Sequence, residues 1–102
     1  MIPGTQDIID TLRSNKAYLK SRYFIKHIDL YGSFATKSQQ ENSDIDLLYT
    51  TVQNGAMTLS RLRSFENYLS GLLKIEKVEL VSKESINPII AKNIEEYAIP
   101  VF

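Results

Sequence analysis

The chain has 102 residues, with 12 Lys and Arg balanced by 12 Asp and Glu, one His, no Cys and 43% hydrophobic residues. This length fits a single domain over 1–102 and leaves no room for a second core, and no apolar run approaches the roughly 18–20 residues of a membrane span. The zero net charge argues against binding nucleic acid chiefly through its phosphates, and the lack of Cys excludes thiolate ligands and fits a cytoplasmic protein.

The first half of the chain shows one helical pattern followed by two strand patterns. Apolar residues at helical spacing predict a helix over 5–22, with Thr5 or Asp7 available to cap its start. A segment that alternates with period two predicts a strand over 27–31, and a run of β-forming residues predicts a second strand over 45–52. A helix followed by two strands is therefore expected before residue 53.

The second half continues the alternation after a break at 53–55. The elements predicted there are a helix over 59–72 capped by Thr58, a strand over 76–81, a helix from Asn87-Pro88 to about Tyr97, and a short edge strand within 98–102. Alternating helices and strands predict an α+β fold of α/β-like character, with a small mixed β-sheet and helices mainly on one face.

Two short motifs lie between the first two predicted strands: one follows the first strand, and the other stands at the start of the second. Gly32 ends the first strand and Ser33 opens a turn or short helix, and a glycine at the start of such a turn leaves room and free N–H groups for a phosphate. Asp44 and Asp46 are two residues apart at the start of a strand, so their carboxylates project from the same face and repel each other. Mg²⁺ relieves such repulsion, because it prefers carboxylate and phosphate oxygens. Glu79 on the third strand can join the site if the strands are neighbours, which describes metal-assisted nucleotidyl transfer.

These motifs together resemble a known family. The stretches that carry the resemblance are Tyr31-Gly32-Ser33, then Asp44-Ile45-Asp46-Leu47 after a gap of ten residues, and later Val78-Glu79-Leu80-Val81. They resemble the minimal nucleotidyltransferase family of the DNA polymerase β superfamily. The resemblance covers 27–102, which would be the catalytic core, behind an N-terminal helical segment over 1–24.

The resemblance implies a polymerase β-like nucleotidyltransferase fold and a complete set of site residues. The implied residues are Gly32, Ser33 and Lys37 for binding the nucleotide, and Asp44, Asp46 and Glu79 as catalytic ligands of two Mg²⁺ ions. The implied reaction transfers AMP from ATP to a hydroxyl, expected to be that of a tyrosine, on a partner HEPN toxin. Such AMPylation would make this protein the antitoxin of a toxin–antitoxin system.

Two other interpretations stay open at the level of the residues. Glu79 stands where the family commonly has Asp, and the arginines that often follow Gly-Ser are absent, which favours an antitoxin that neutralises its partner by contact alone. In the third interpretation the acids lie by coincidence on the surface of a generic α/β domain. Ser33 would then cap a helix, Asp44 would belong to a turn over 42–44, and Glu79 would lie on a solvated strand face.

Overall fold

The computed structural model describes residues 4–40, 43–53 and 56–102. In chain order the elements are α1 (Thr5–Ser14), α2 (Lys16–Tyr23), β1 (Ile25–Tyr31), α3 (Ser33–Thr36), β2 (Ile45–Thr51), α4 (Leu59–Leu73), β3 (Val78–Ser82), α5 (Pro88–Tyr97) and β4 (Ile99–Pro100). The strands form one sheet in the order β3-β2-β1-β4, in which β1 is antiparallel to β2 and β4, and β2 is parallel to β3. The predicted α+β fold with a small mixed sheet is confirmed. Within the described ranges, no helix is long and apolar enough to cross a membrane.

The predicted N-terminal helix is in fact two helices, which meet at Asn15. The Asn15 side chain donates to the carbonyl of Thr11 at 2.8 Å and accepts from the hydroxyl of Tyr68 at 2.9 Å. Asn side chains compete with the backbone for such hydrogen bonds and favour helix ends. The single helix over 5–22 was therefore wrong at this residue.

The helix starts show which capping predictions are correct. Thr58 and Asn87 cap α4 and α5 as predicted, accepting from the amides of Arg61 at 3.1 Å and Ile89 at 2.8 Å. The N-cap residue of α1 is Gly4, so the prediction of Thr5 was wrong, whereas Asp7 takes part in the cap because its carboxylate accepts from the Gly4 amide at 3.3 Å. Thr5 instead donates to a distant carbonyl, that of Phe34, at 2.6 Å. The predicted turn residue Asn42 and the loop residues Asn54 and Gly55 lie outside the described residues.

One face of the sheet is covered by α1, α2 and α4. Alternation along β1 and β2 directs Ile28, Leu30, Ile45, Leu47 and Tyr49 into this layer, where all five are buried. The helices contribute further buried residues to the same cluster: Ile8, Ile9, Leu12, Leu19, Tyr23, Phe65, Leu69 and Leu73. This layer is the hydrophobic core of the protein.

Helix α5 lies on the opposite face of the sheet. The crossover β2-α4-β3 and the crossover β3-α5-β4 each join parallel strands, but they step across the sheet in opposite directions. Because such crossovers are right-handed, their helices lie on opposite faces. Leu48 and Ala91 are buried but stand outside the main cluster, as expected for contacts beneath α5. Helices mainly on one face were predicted, and α5 is the exception.

Candidate active site

The face of the sheet opposite the core carries a row of three polar side chains, Tyr31, Asp46 and Glu79, which we call the acidic row. The register pairs Tyr31 of β1 with Asp46 of β2, and Asp46 with Glu79 of β3. Neighbouring strands lie about 4.7–4.9 Å apart, and paired residues project to the same face. The structure therefore brings Glu79 beside Asp46, as the prediction of neighbouring strands requires.

The two carboxylates of this row perturb each other. The pKa of Asp46 is raised from 3.8 to about 6, by burial first and then by the hydrogen bond with Glu79 and the charges of Glu79 and Asp44, while the charge of Lys77 opposes the shift. The pKa of Tyr31 rises to about 12, because of burial first and then the charges of Asp46 and Glu79. Acidic groups held this close favour binding of a proton or a cation.

Asp44 lies at the entrance to β2 and has a different partner. Its carboxylate is 3.7 Å from the ammonium nitrogen of Lys77, and both side chains are well exposed. Within residues 4–40, 43–53 and 56–102, no three His, Cys, Asp or Glu side chains are already close enough together to hold a metal ion. The structure thus brings Asp46 and Glu79 together and leaves Asp44 facing Lys77. The ligand set of all three acids stays a prediction.

Gly32 fits against Asp46 in a way that no other residue allows. Its φ of 76° lies in the region that favours glycine, and a Cβ at this position would be 2.3 Å from Oδ2 of Asp46. The next residue, Ser33, begins the short helix α3, whose first turn closes on the Gly32 carbonyl through the amides of Ala35 and Thr36 at 3.1 and 3.2 Å. The predicted phosphate-binding residues therefore lie directly beside the acidic row.

A cavity of about 310 Å³ opens beside this turn. It is lined by Tyr31, Gly32, Ser33, Thr36 and Ser38 on one side and by Asn93, Ile94 and Tyr97 of α5 on the other. Lys37 lies between two lining residues but does not line the cavity, so its role in binding stays a prediction. The α5 residues were missed in the sequence because only the crossover over the sheet brings them to Gly32. The sequence shows that this helix carries apolar residues, Tyr97 among them, but not that they face Gly32.

The chemistry of these residues fits a divalent cation and a phosphate. Carboxylate oxygens are the ligands that Mg²⁺ prefers. A cation would relieve the repulsion from Glu79 and Asp44, which adds to burial in raising the pKa of Asp46. The glycine turn brings backbone and hydroxyl groups next to those carboxylates. The arrangement can therefore hold a nucleotide with its phosphates beside the acidic row.

Comparison with known proteins agrees with this arrangement. A family model described as "Polymerase beta, Nucleotidyltransferase" matches residues 8–102. A protein of Methanocaldococcus jannaschii, named for a proposed protein adenylyltransferase activity, is 45% identical over 91 residues, which are 88% of this chain and 90% of the relative. A solved structure described as a proposed minimal nucleotidyltransferase has a TM-score of 0.77 and 26% identity, and the match covers 96% of both chains.

A second solved structure shares the fold. It is described as a toxin–antitoxin with AMP-PNP, and it matches with a TM-score of 0.71 and 21% identity over 98% of this chain and 73% of the other. The match of the family model over almost the whole chain confirms the predicted resemblance and the enzyme class, and it excludes the interpretation as a generic α/β domain. The chain belongs to the polymerase β nucleotidyltransferase family.

Proposed function

We propose that this protein is a Mg²⁺-dependent nucleotidyltransferase that transfers AMP from ATP to a tyrosine hydroxyl of a partner HEPN toxin, in the cytoplasm, and so acts as an antitoxin. The observation that carries the proposal is the position of Asp46 and Glu79 directly beside the Gly32-Ser33 turn and its cavity. The name of the adenylyltransferase relative supports a protein acceptor, and the toxin–antitoxin with AMP-PNP supports a nucleotide and a toxin partner.

Asp44, Asp46 and Glu79 would hold the Mg²⁺ ions. When bound, Mg²⁺ supplies charge neutralisation of the phosphate oxygens and lowers the pKa of an attacking hydroxyl. Asp46 and Glu79 already meet, so binding requires that Asp44 turn from Lys77 toward them. This exchange costs little, because an exposed ion pair contributes only about 0–1 kcal/mol.

The remaining residues of the site position the nucleotide. The Gly32 backbone and the Ser33 hydroxyl face the β- and γ-phosphates, and Lys37 adds a positive charge nearby. Ile94 and Tyr97 of α5 offer an apolar wall to the nucleoside. The acceptor hydroxyl loses its proton to water, and its oxygen forms a bond to the α-phosphorus while the bond from the α-phosphorus to the bridging β-phosphate oxygen breaks, so that pyrophosphate leaves. Rate enhancement comes mainly from positioning and from charge stabilisation.

Intact-mass measurement of the partner protein tests this proposal. The chain is incubated with Mg²⁺, ATP and a HEPN partner, and an adenylyl group should appear on the partner. The addition should be absent with Asp46→Ala and retained with Asp10→Asn, which changes an exposed carboxylate on α1. An unmodified partner would contradict the proposal.

A second candidate function is neutralisation of the toxin by contact alone. The pairing of Asp44 with Lys77 favours it, because the three predicted ligands are not preassembled within the part of the chain that the structure describes. A tight complex with an unmodified partner, equally tight for Asp46→Ala, would support this function over AMP transfer.

A further inference from the structure

A second cavity lies on the same face of the sheet as the acidic row. It has a volume of about 300 Å³ and is lined by His27, Asp29, Leu48, Thr50, Lys83, Pro100 and Phe102. None of these residues lines the cavity beside Gly32. Leu48 and Thr50 follow Asp46 on β2 at the two-residue spacing that keeps side chains on one face, so the cavity begins about 7 Å from Asp46.

Two hydrogen-bond acceptors in this cavity have no partner among the residues that the structure describes. The hydroxyl oxygen of Thr50 is buried and forms no hydrogen bond within the described residues. The half-buried carboxylate of Asp29 likewise receives no hydrogen bond or ion pair from the part of the chain that the structure describes. Lys83 also lines the cavity, and its ammonium group is paired with Glu95 of α5. The charges of Lys83 and His27 act on Asp29 and partly offset the burial that raises its pKa. Burial without a partner is unfavourable for both groups, and burial raises the pKa of Asp29.

The direction of the proposed reaction places this cavity on the acceptor side. In an in-line displacement the attacking and leaving oxygens lie on opposite sides of the phosphorus. In the proposed function the leaving pyrophosphate binds at the Gly32-Ser33 turn, which follows β1 beside Tyr31, Asp46 and Glu79. The accepting hydroxyl must therefore approach from the other side of the α-phosphorus, toward the cavity that contains Asp29.

We propose that this cavity is an acceptor-side binding site that takes one basic side chain, a lysine or an arginine, of the partner protein close to the hydroxyl that receives AMP. The inference rests on the proposed function. The Asp29 carboxylate supplies the charge complementarity, and the Thr50 hydroxyl oxygen accepts a further hydrogen bond. Leu48, Pro100 and Phe102 give apolar walls to the methylene stem of such a side chain.

The distance of the cavity from Asp46 predicts how far the basic residue lies from the modified tyrosine in the partner. Its lining runs from Leu48 to Thr50, which is about 7–13 Å along β2 from Asp46. An extended peptide spans a similar distance in about two to four residues. The basic residue should therefore lie about two to four positions from the modified tyrosine, or at the same separation in space if the partner is folded there.

Two synthetic peptides test the inference. Each carries one tyrosine, and they differ only in an arginine or a glutamine about three residues from it. With ATP and Mg²⁺, the wild-type chain should modify the arginine peptide with a kcat/KM about tenfold higher, as expected for a charge-assisted hydrogen bond. Asp29→Asn should remove this preference and leave the KM for ATP unchanged. Thr50→Val, which keeps the shape of the side chain, should reduce the preference in the same direction.

A charge exchange and a matched control complete the test. Asp29→Lys should invert the selection in favour of a third peptide that has glutamate in place of the arginine. Asp10→Asn removes an exposed carboxylate on α1 and should leave the preference unchanged. A preference that survives in Asp29→Asn would overturn the inference. So would a higher KM for ATP in that variant, since the cavity would then serve the nucleotide.

Failure of the inference and failure of the proposed function give different results. If no peptide and no partner protein is modified, the proposed transfer fails. Peptide binding can then be tested without transfer. The same peptides are labelled with a fluorophore, and their binding to the chain is measured by anisotropy in the presence of AMP-PNP. Tighter binding of the arginine peptide that is lost in Asp29→Asn supports the site, and equal binding of both peptides overturns it.

Discussion

The two faces of the sheet differ in the kind of side chain that they bring together. On the face beneath α1, α2 and α4, residues such as Leu30 and Leu47 are fully buried among apolar neighbours. On the other face, Asp46 and Glu79 stand side by side, and burial together with the contact with Glu79 raises the pKa of Asp46 to about 6. The buried apolar residues stabilise the folded state. The neighbouring carboxylates destabilise it, and their proposed role is in binding.

One strand serves both faces. Asp46 and Leu47 are consecutive residues of β2, and the alternation of side chains sends one to the acidic row and the other to the core. Stability and function can therefore be changed separately by substitutions that are adjacent in sequence. Substitutions on each face test whether stability and function separate in this way.

The largest effect on stability is expected for Phe65→Ala on the core face. Phe65 is fully buried, stacks on Tyr23 with ring centroids 4.9 Å apart and meets Tyr49 edge-on at 6.0 Å. Its truncation leaves a cavity and should lower the free energy of unfolding by about 3–5 kcal/mol. Urea unfolding followed by circular dichroism measures this loss.

Leu59→Ala on the same helix is the control, because Leu59 is 71% exposed and its loss should change stability by less than about 0.5 kcal/mol. Equal effects would show that α4 does not supply the core as described.

Gly32→Ala should damage both stability and transfer. The added Cβ would be 2.3 Å from Oδ2 of Asp46, at a backbone φ of 76° that alanine rarely adopts. We expect a loss of about 1–3 kcal/mol in the free energy of unfolding, together with loss of AMP transfer, because Asp46 must move. Thermal unfolding and the intact-mass assay measure the two effects.

The matched control is Gly71→Ala in helix α4. A Cβ at Gly71 would meet nothing within 4 Å, and alanine is favoured over glycine in a helix by about 0.5–1 kcal/mol. This variant should be more stable than the wild type and fully active. If both glycine variants behave alike, the close contact between Gly32 and Asp46 does not govern the site.

Asp46→Asn should remove transfer while making the metal-free protein more stable at pH 8. The pKa of Asp46 is about 6 in the folded state against 3.8 as the ordinary value, so the folded state binds the proton more tightly. The stability from this group is fully present below pH 3.8 and is lost as the pH rises through about 6. Because Asp46 is partly exposed, the gain of the variant at pH 8 should be on the order of 1 kcal/mol.

Unfolding curves in EDTA between pH 4 and pH 8 measure this difference. The wild type should lose stability over this range relative to Asp46→Asn, and Asp10→Asn should follow the wild type. If the free energy of unfolding changed equally with pH in the wild type and in Asp46→Asn, the ionised carboxylate of Asp46 would not be destabilised in the folded state.

The sequence predicts the core face better than the opposite face. Periodicity alone locates β1, β2 and α4, because burial of alternate or helically spaced apolar residues is a local signal. It does not reveal the interruption at Asn15, which depends on a hydrogen bond from Tyr68, 53 residues away in the chain. It also cannot place Tyr97 beside Gly32, since that contact follows from the right-handed crossover of α5.

The acidic row itself was predicted only in part. The spacing of Asp44 and Asp46 indicates a shared face, and the register then aligns Glu79 with Asp46. The pairing of Asp44 with Lys77 depends on the neighbouring strand, so no local pattern shows it. The unpartnered groups around Asp29 were missed for the same reason, because burial of a carboxylate is visible only in three dimensions.

The smallest effect is expected for Glu79→Asp, and it tests how closely the row depends on a glutamate. The register fixes position 79 opposite Asp46, so the shorter carboxylate still projects to the same face but withdraws by about 1.5 Å. The hydrogen bond and repulsion between the two acids weaken, and the pKa of Asp46 should fall from about 6 toward 3.8. Transfer should persist within about tenfold of the wild type, since a displacement near 1 Å can cost up to about 10²-fold when nothing compensates.

The comparison with Glu79→Gln separates length from charge. Glutamine keeps the length and removes the negative charge, so this variant should lose transfer while its metal-free form becomes more stable at pH 8, as for Asp46→Asn. NMR titration of the Asp46 carboxyl carbon and the intact-mass rate measure both properties in each variant. If Glu79→Asp lost as much activity as Glu79→Gln, the site would require the longer side chain, and the acidic face would be packed as closely as the core face behind it.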